Sequence, residues 1–171
     1  MKVYTKQGDD GQSELSSGRC DKFSVSFELL GDVDELSAAI GCANTSEAER
    51  WLGVQTELLD LGSAASGYSD FAQGTTELEA WIDALTAELP PLKNFVLPLG
   101  SASQWHLARA VCRRAERHCW QAMHAAQQDD ARQRNLTRAG QYLNRLSDLL
   151  FQQARVVAEG DVRYKQSKGL F

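Results

Sequence analysis

Residues 101–127 read SASQWHLARAVCRRAERHCWQAMHAAQ, and the fold turns on them. The stretch has no proline and is rich in Ala, Arg and Gln, a helical composition. Stepped at about 100° per residue, Leu107, Ala108, Val111, Ala115, Cys119 and Ala122 share one side, the expected core face. The other side carries Trp105, His106, Arg109, Arg113, Glu116, Arg117, Trp120 and His124. Three of its arginines recur at i, i+4 and i+8. Arg is the usual binder of phosphate, and Arg and aromatic residues are enriched at interfaces. The helix therefore reads as core on one side and partner or ligand on the other. A solvated arginine stripe with incidental tryptophans is the blander reading that the pattern also allows.

The rest of the chain extends this helix into a bundle. Pro90, Pro91 and Pro98 fall in one short region and leave the flanking stretches free to be helical. A first helix is predicted from Ser24 to Ala43, with Phe27, Leu30, Val33, Leu36 and Ile40 spaced by three and four. A second is predicted from Ser46 to Ala65, with Ser46 as N-cap and Glu49 completing a capping box. A third spans Thr75 to Leu89, with Thr75 as cap and Glu77 and Glu79 in the first turn. After an apolar connector, Asn94 to Gly100, comes the helix quoted above, from Ser101 to Gln127. A fifth runs from Asp129 to Ala158 on a stripe of Leu136, Ala139, Leu143, Leu146 and Leu150. The expected fold class is all-α, a five-helix antiparallel bundle forming one domain over residues 1–171. Residues 24–158 would make the bundle, residues 1–22 a polar, turn-rich loop, and residues 160–171 a mobile tail.

A chain of 171 residues can bury a sizeable core. Its 43% apolar and 24% charged residues suit a soluble globular protein. A net charge of −5 argues against a general nucleic-acid binder, though not against a small anion held by clustered arginines. No apolar run approaches the ~20 residues of a membrane span, and no secretory signal is expected at the N-terminus. Cys20, Cys42, Cys112 and Cys119 have neither zinc-site nor disulfide-framework spacing, so reduced thiols and a cytoplasmic location are expected. The N-x-S/T triplets at Asn44 and Asn135 are then chance matches.

Several polar residues interrupt apolar faces. Asp32, Asp34 and Glu35 lie within the first helix, where carboxylates usually have a cationic partner. The arginines of the fourth helix are the candidates, and a metal site is the other option. A ferritin-like centre needs Glu-x-x-His pairs, and none of His106, His118 and His124 has a Glu three residues before it. Asn144, Ser147 and Asp148 flank the fifth helix stripe and could be structural hydrogen bonds or ligand contacts. No Walker loop, GxSxG or GxGxxG is present.

Five segments, in order, resemble the PduO-type ATP:cob(I)alamin adenosyltransferases. Thr5 to Gly11, TKQGDDG, is similar to that family's TKxGDxG opening. Gly31 to Leu36, GDVDEL, resembles its GxxDEL segment, and Phe95 to Ser101, FVLPLGS, its FILPGGS connector. His106 to Arg117 matches HxARxxxRRAER, and Tyr142 to Asp148 matches YLNRLSD. The resemblance implies a homotrimer with active sites between subunits. It implies a reaction in which cob(I)alamin attacks the ribose 5′-carbon of ATP and triphosphate leaves. Mg²⁺ would accompany ATP, and an electron-donating reductase would supply Co(I).

Site roles follow from the same resemblance. Thr5, Lys6, Gln7 and Gly8, with Ser13, would wrap ATP, and Lys22 would reach its phosphates. Arg113 and Arg117 would stabilise the leaving triphosphate, with Arg114, Glu116 and Asn144 completing the nucleotide site. Asp34 would pair with Arg113 across the subunit interface and so account for the buried carboxylate. Phe95 would lie beneath the corrin, keeping the lower ligand off cobalt; a core aromatic is the alternative for it. The chain departs from the pattern at Leu99, where the family has glycine, and at Ser37, where it has asparagine. Phe23-Ser24-Val25-Ser26 replaces an Asp-Asp-Pro-Arg run, and Ser17-Gly18 a Gly-Gly pair. Leu99 and Ser37 bear on corrinoid affinity or choice more than on ATP. A member that binds ATP or corrinoid without catalysis, and a purely structural bundle, are the competing readings.

Overall fold

The computed structural model describes residues 2–46, 48–126 and 129–158. The tail expected at 160–171 lies outside the described residues. Five helices carry the fold: α1 (Val25–Ala43), α2 (Glu49–Ala65), α3 (Thr76–Glu88), α4 (Ala102–Ala125) and α5 (Asp130–Val157). A small antiparallel hairpin precedes them, β1 (Gln12–Leu15) and β2 (Gly18–Asp21), in what had been expected to be loop. A two-residue turn, Ser16-Ser17, joins the strands and leads into Gly18. Gly18 adopts φ 112°, which a side chain would resist.

Buried leucines at helical spacing make one core. Leu29, Val33, Leu36 and Ile40 supply α1, so its stripe begins at Leu29 rather than at the half-buried Phe27. The α5 stripe is as expected and is widened by Tyr142, Leu149 and Ala154. Tyr142 donates its hydroxyl to Glu57 of α2. Helix α4 packs most extensively, on α5 and α1. The thiols of Cys112 and Cys119 donate to the carbonyls of Leu143 (3.2 Å) and Leu136 (3.1 Å), so α4 and α5 run antiparallel. Pairs between Glu79 and Arg145, and between Thr86 and Gln152, make α3 and α5 parallel neighbours. Helices alternating up and down along the chain give this arrangement.

Two capping expectations are corrected. Helix α2 begins at Glu49 with Ala48 at the N-cap and no side-chain cap, so the Ser46–Glu49 box does not form. Asn44 instead accepts from the Ala48 amide (3.1 Å) and shapes the turn. Thr75 stands at the α3 N-cap without a side-chain cap bond. Asp129 does cap α5, accepting from the Arg132 amide at 2.9 Å. Asn135 is buried and binds Phe71, Ser69 and Asp70, anchoring the segment before α3 to α5.

Helix α4 corrects the sequence reading of its own faces. Trp105 is buried at 4% exposure and packs on Trp51, centroids 4.5 Å apart, while Leu107 is 61% exposed. Trp105 precedes Ala108 by three residues and Cys112 by seven, which puts it on the core side where α2 meets α4. No described helix is long and apolar enough to cross a membrane.

Candidate functional site

The N-terminal segment folds into a cradle. Thr5, Gln7, Gly8, Ser13, Glu14, Arg19 and Lys22 line a cavity of about 410 Å³. Lys6 adopts φ 63° and Gly11 φ 80°, so the chain turns sharply on both sides of Gly8. The ammonium of Lys22 donates to the Gly8 carbonyl at 2.6 Å. A Cβ at Gly8 would lie 2.5 Å from that nitrogen and 3.2 Å from the Gln12 carbonyl oxygen, so a side chain there would displace the Lys22 ammonium. Arg19 spans to Asp10 (2.8 Å) and to the Gln7 carbonyl (3.2 Å). The hairpin is tied to the bundle by Leu15, which is buried, and by the Ser16 amide on the Ser66 carbonyl at 3.0 Å.

Lys22 also borders a second cavity, about 520 Å³, between α1 and α4, lined by Phe27, Asp32, Glu35, Arg114 and His118 among others. The buried carboxylate of α1 is Asp32, at 6% exposure, not Asp34, which is exposed. Its partners are Arg114 (2.8 Å) and His118 (2.8 Å) within the same chain. Arg114 also pairs with Glu35. The expectation that Asp34 and Arg113 account for the buried carboxylate is thus corrected: α1 and α4 satisfy it between themselves. The Asp32 hydrogen bond raises the Arg114 pKa above its ordinary value.

Arg113 and Arg117 project from the exposed face of α4, and Arg117 donates to the Arg113 carbonyl at 3.1 Å. On the α5 side, Glu116 accepts from Asn144 (3.2 Å) and from the Trp120 indole (3.4 Å). Asn144 in turn accepts from Arg145 at 2.8 Å, so its amide orientation is fixed. Ser147 turns back to the Asn144 carbonyl, a structural bond, and Asp148 is exposed. Arg109 lies over the Phe151 ring, 5.3 Å from its centroid. In the connector Phe95 is 83% exposed, with Leu97 and Leu99 also open, so Phe95 is not a core aromatic.

A cradle with N-terminal turns and a lysine, beside a helix presenting arginines, suits a polyphosphate ligand. Comparison with known proteins specifies it further. Residues 3–157 match the family model for cobalamin adenosyltransferase. The chain belongs to the cobalamin adenosyltransferase family. A corrinoid adenosyltransferase of Bacillus subtilis is 40% identical over all of this chain and 96% of its own length. The human corrinoid adenosyltransferase MMAB is 40% identical over 92% of this chain and 69% of its own. Among solved structures, a variant PduO-type ATP:corrinoid adenosyltransferase from Lactobacillus reuteri, complexed with cobalamin and ATP, superposes with a TM-score of 0.81. It is 30% identical and covers 99% of this chain and 100% of its own.

Within this adenosyltransferase fold the chain brings only some of the expected site residues together. Thr5, Gln7, Gly8, Ser13 and Lys22 share the cradle, whereas Lys6, whose φ shapes the turn, is not among its lining residues. Glu116 and Asn144 are joined by a hydrogen bond. Arg113, Arg117, Asp34 and Phe95 line neither of these two cavities. Sequence reading missed Arg19, Glu14 and Asp10, which shape or line the cradle. Glu14 and Arg19 face each other across the hairpin, a pairing legible only once Ser16-Ser17 is read as a turn.

Proposed function

We infer that this chain transfers the 5′-deoxyadenosyl group of ATP to Co(I) of cob(I)alamin. The electron pair of Co(I) forms the Co–C bond to the ribose 5′-carbon as the C5′–O bond breaks. Triphosphate leaves with that bond's electrons. No general base is needed, so the protein's tasks are positioning and charge. The cradle of Thr5, Gln7, Gly8, Ser13 and Lys22 is the observation that carries this reading, because it offers turned backbone and an ammonium to the phosphates. Arg113 and Arg117 meet the triphosphate as it gains charge. Lys6, Arg114, Glu116 and Asn144 complete the nucleotide site, Arg114 from its place beside Lys22. Mg²⁺ would ride on the phosphate oxygens, with Glu14 the carboxylate that lines the cradle and suits it.

The parts are joined by trimerisation. Asp34 pairs with Arg113 of a neighbouring subunit, and the exposed Phe95 lies under the corrin there. A reductase supplies Co(I). Residues 1–171 act as one adenosyltransferase domain in the cytoplasm, where the four unpaired cysteines stay reduced. The test is an anaerobic assay with ATP, Mg²⁺ and chemically reduced cob(I)alamin. Adenosylcobalamin and triphosphate are expected in equal amounts; ATP binding without product would favour the non-catalytic reading instead.

A further inference from the structure

We propose that Arg19 is a positioning residue for ATP, acting through the loop rather than on the phosphates; this rests on the reading of the cradle given above. Arg19 sits on β2 opposite Glu14, and its guanidinium reaches three acceptors on the loop. These are both carboxylate oxygens of Asp10 (2.9 and 2.8 Å) and the Gln7 carbonyl (3.2 Å). Lys22 holds the next carbonyl, that of Gly8. Two cations, one near the start of β2 and one just past its end, therefore hold two consecutive carbonyls.

The consequence is geometric. A planar trans peptide points its C=O and N–H in opposite directions. With the Gln7 carbonyl drawn to Arg19, the Gly8 N–H is turned away from it. No acceptor among the described residues takes that N–H, whereas the Asp9 amide is held by Lys6 O (3.4 Å) and the Gly11 amide by Gly8 O (3.3 Å). Arg19 thus keeps one donor of the cradle free for a phosphate oxygen. A half-exposed Arg–Asp pair stabilises a fold little, so the value of this one lies in aiming the loop. All three contacts are made by one guanidinium nitrogen, Nη2, so a lysine ammonium reaching the same point would restore part of the linkage.

The experiment measures ATP KM and kcat with reduced cob(I)alamin for Arg19→Ala, Arg19→Lys, Asp10→Ala and the Arg19→Ala/Asp10→Ala double variant. Each single substitution should raise the KM for ATP, by about tenfold for Arg19→Ala. The kcat at saturating ATP should stay within about twofold of the wild type. Arg19→Lys should rescue in part, and the double variant should be no worse than Arg19→Ala, since both remove one linkage. If Asp10→Ala leaves KM unchanged or lowers it while Arg19→Ala raises it, Arg19 touches the phosphates itself and the proposal is overturned. A fall in kcat at unchanged KM overturns it equally. Wild-type protein without ATP turnover would remove the functional reading beneath it; active wild type with unaffected variants would remove this inference alone.

Discussion

At the scale of single residues, the structure separates groups that bind from groups that hold. Asp32 is buried and committed to Arg114 and His118, whereas Asp34, two residues on, is exposed and available to another chain. His106 shows the cost of burying a titratable group. Burial, and then the Arg109 guanidinium, lower its pKa below the usual histidine range. The folded chain therefore takes up this proton less readily than the unfolded chain. Its contribution to stability is whole above the ordinary pKa of about 6.5 and is lost as pH falls through the depressed folded value. In His106→Gln, the decline of the urea midpoint between pH 7 and pH 5 should be shallower than in the wild type. Because the ring is partly exposed, the difference should stay below about 1 kcal/mol. An identical slope in both proteins would contradict this origin.

At the scale of elements, α4 and α5 meet more closely than their leucine stripes require. Gly140 lies against Trp120, and a Cβ there would come within 2.8 Å of the indole carbons. The same indole donates to Glu116, which holds Asn144. A small residue on α5 thus sets the indole that braces Glu116 and Asn144. Gly140→Ala gains about 1 kcal/mol in helix propensity and loses about 1–3 kcal/mol to overpacking. A net loss of about 1 kcal/mol in urea denaturation is expected, with a raised KM for ATP through Glu116 and Asn144. Gain of stability with unchanged KM would show that the ring moves aside freely. The buried thiols on this seam are inert: burial pushes Cys119 up to about 12 and Cys112 higher still.

At the scale of the whole molecule, the cradle of residues 5–22 and the Arg113/Arg117 face belong to one chain but line no common cavity. A trimer in which one subunit's cradle meets another's α4, as proposed above, would resolve this. Lys22→Ala and Arg117→Ala, each nearly inactive alone, should complement when mixed and reassembled. Random mixing leaves about a quarter of intersubunit sites with both residues intact, so activity should recover to about that share of wild type. No recovery from fully mixed assemblies would place the whole site within one subunit.

The number, order and approximate bounds of the helices were legible in the sequence, because burying a helix face forces apolar residues to recur at three and four. The TKQGDDG, RRAER and YLNRLSD runs likewise carried the family, since ligand chemistry constrains residue type locally. What periodicity could not supply was the width of each buried face, which depends on which neighbours pack there. That is why Trp105 proved to be core and Leu107 exposed. Nor could it tell which of three nearby carboxylates is buried, a choice made by the reach of Arg114 and His118 from α4. The hairpin that brings Arg19 to Gln7 and Asp10 joins residues nine and twelve apart in sequence. Only folding sets such contacts, because they exist once two strands are paired and not before.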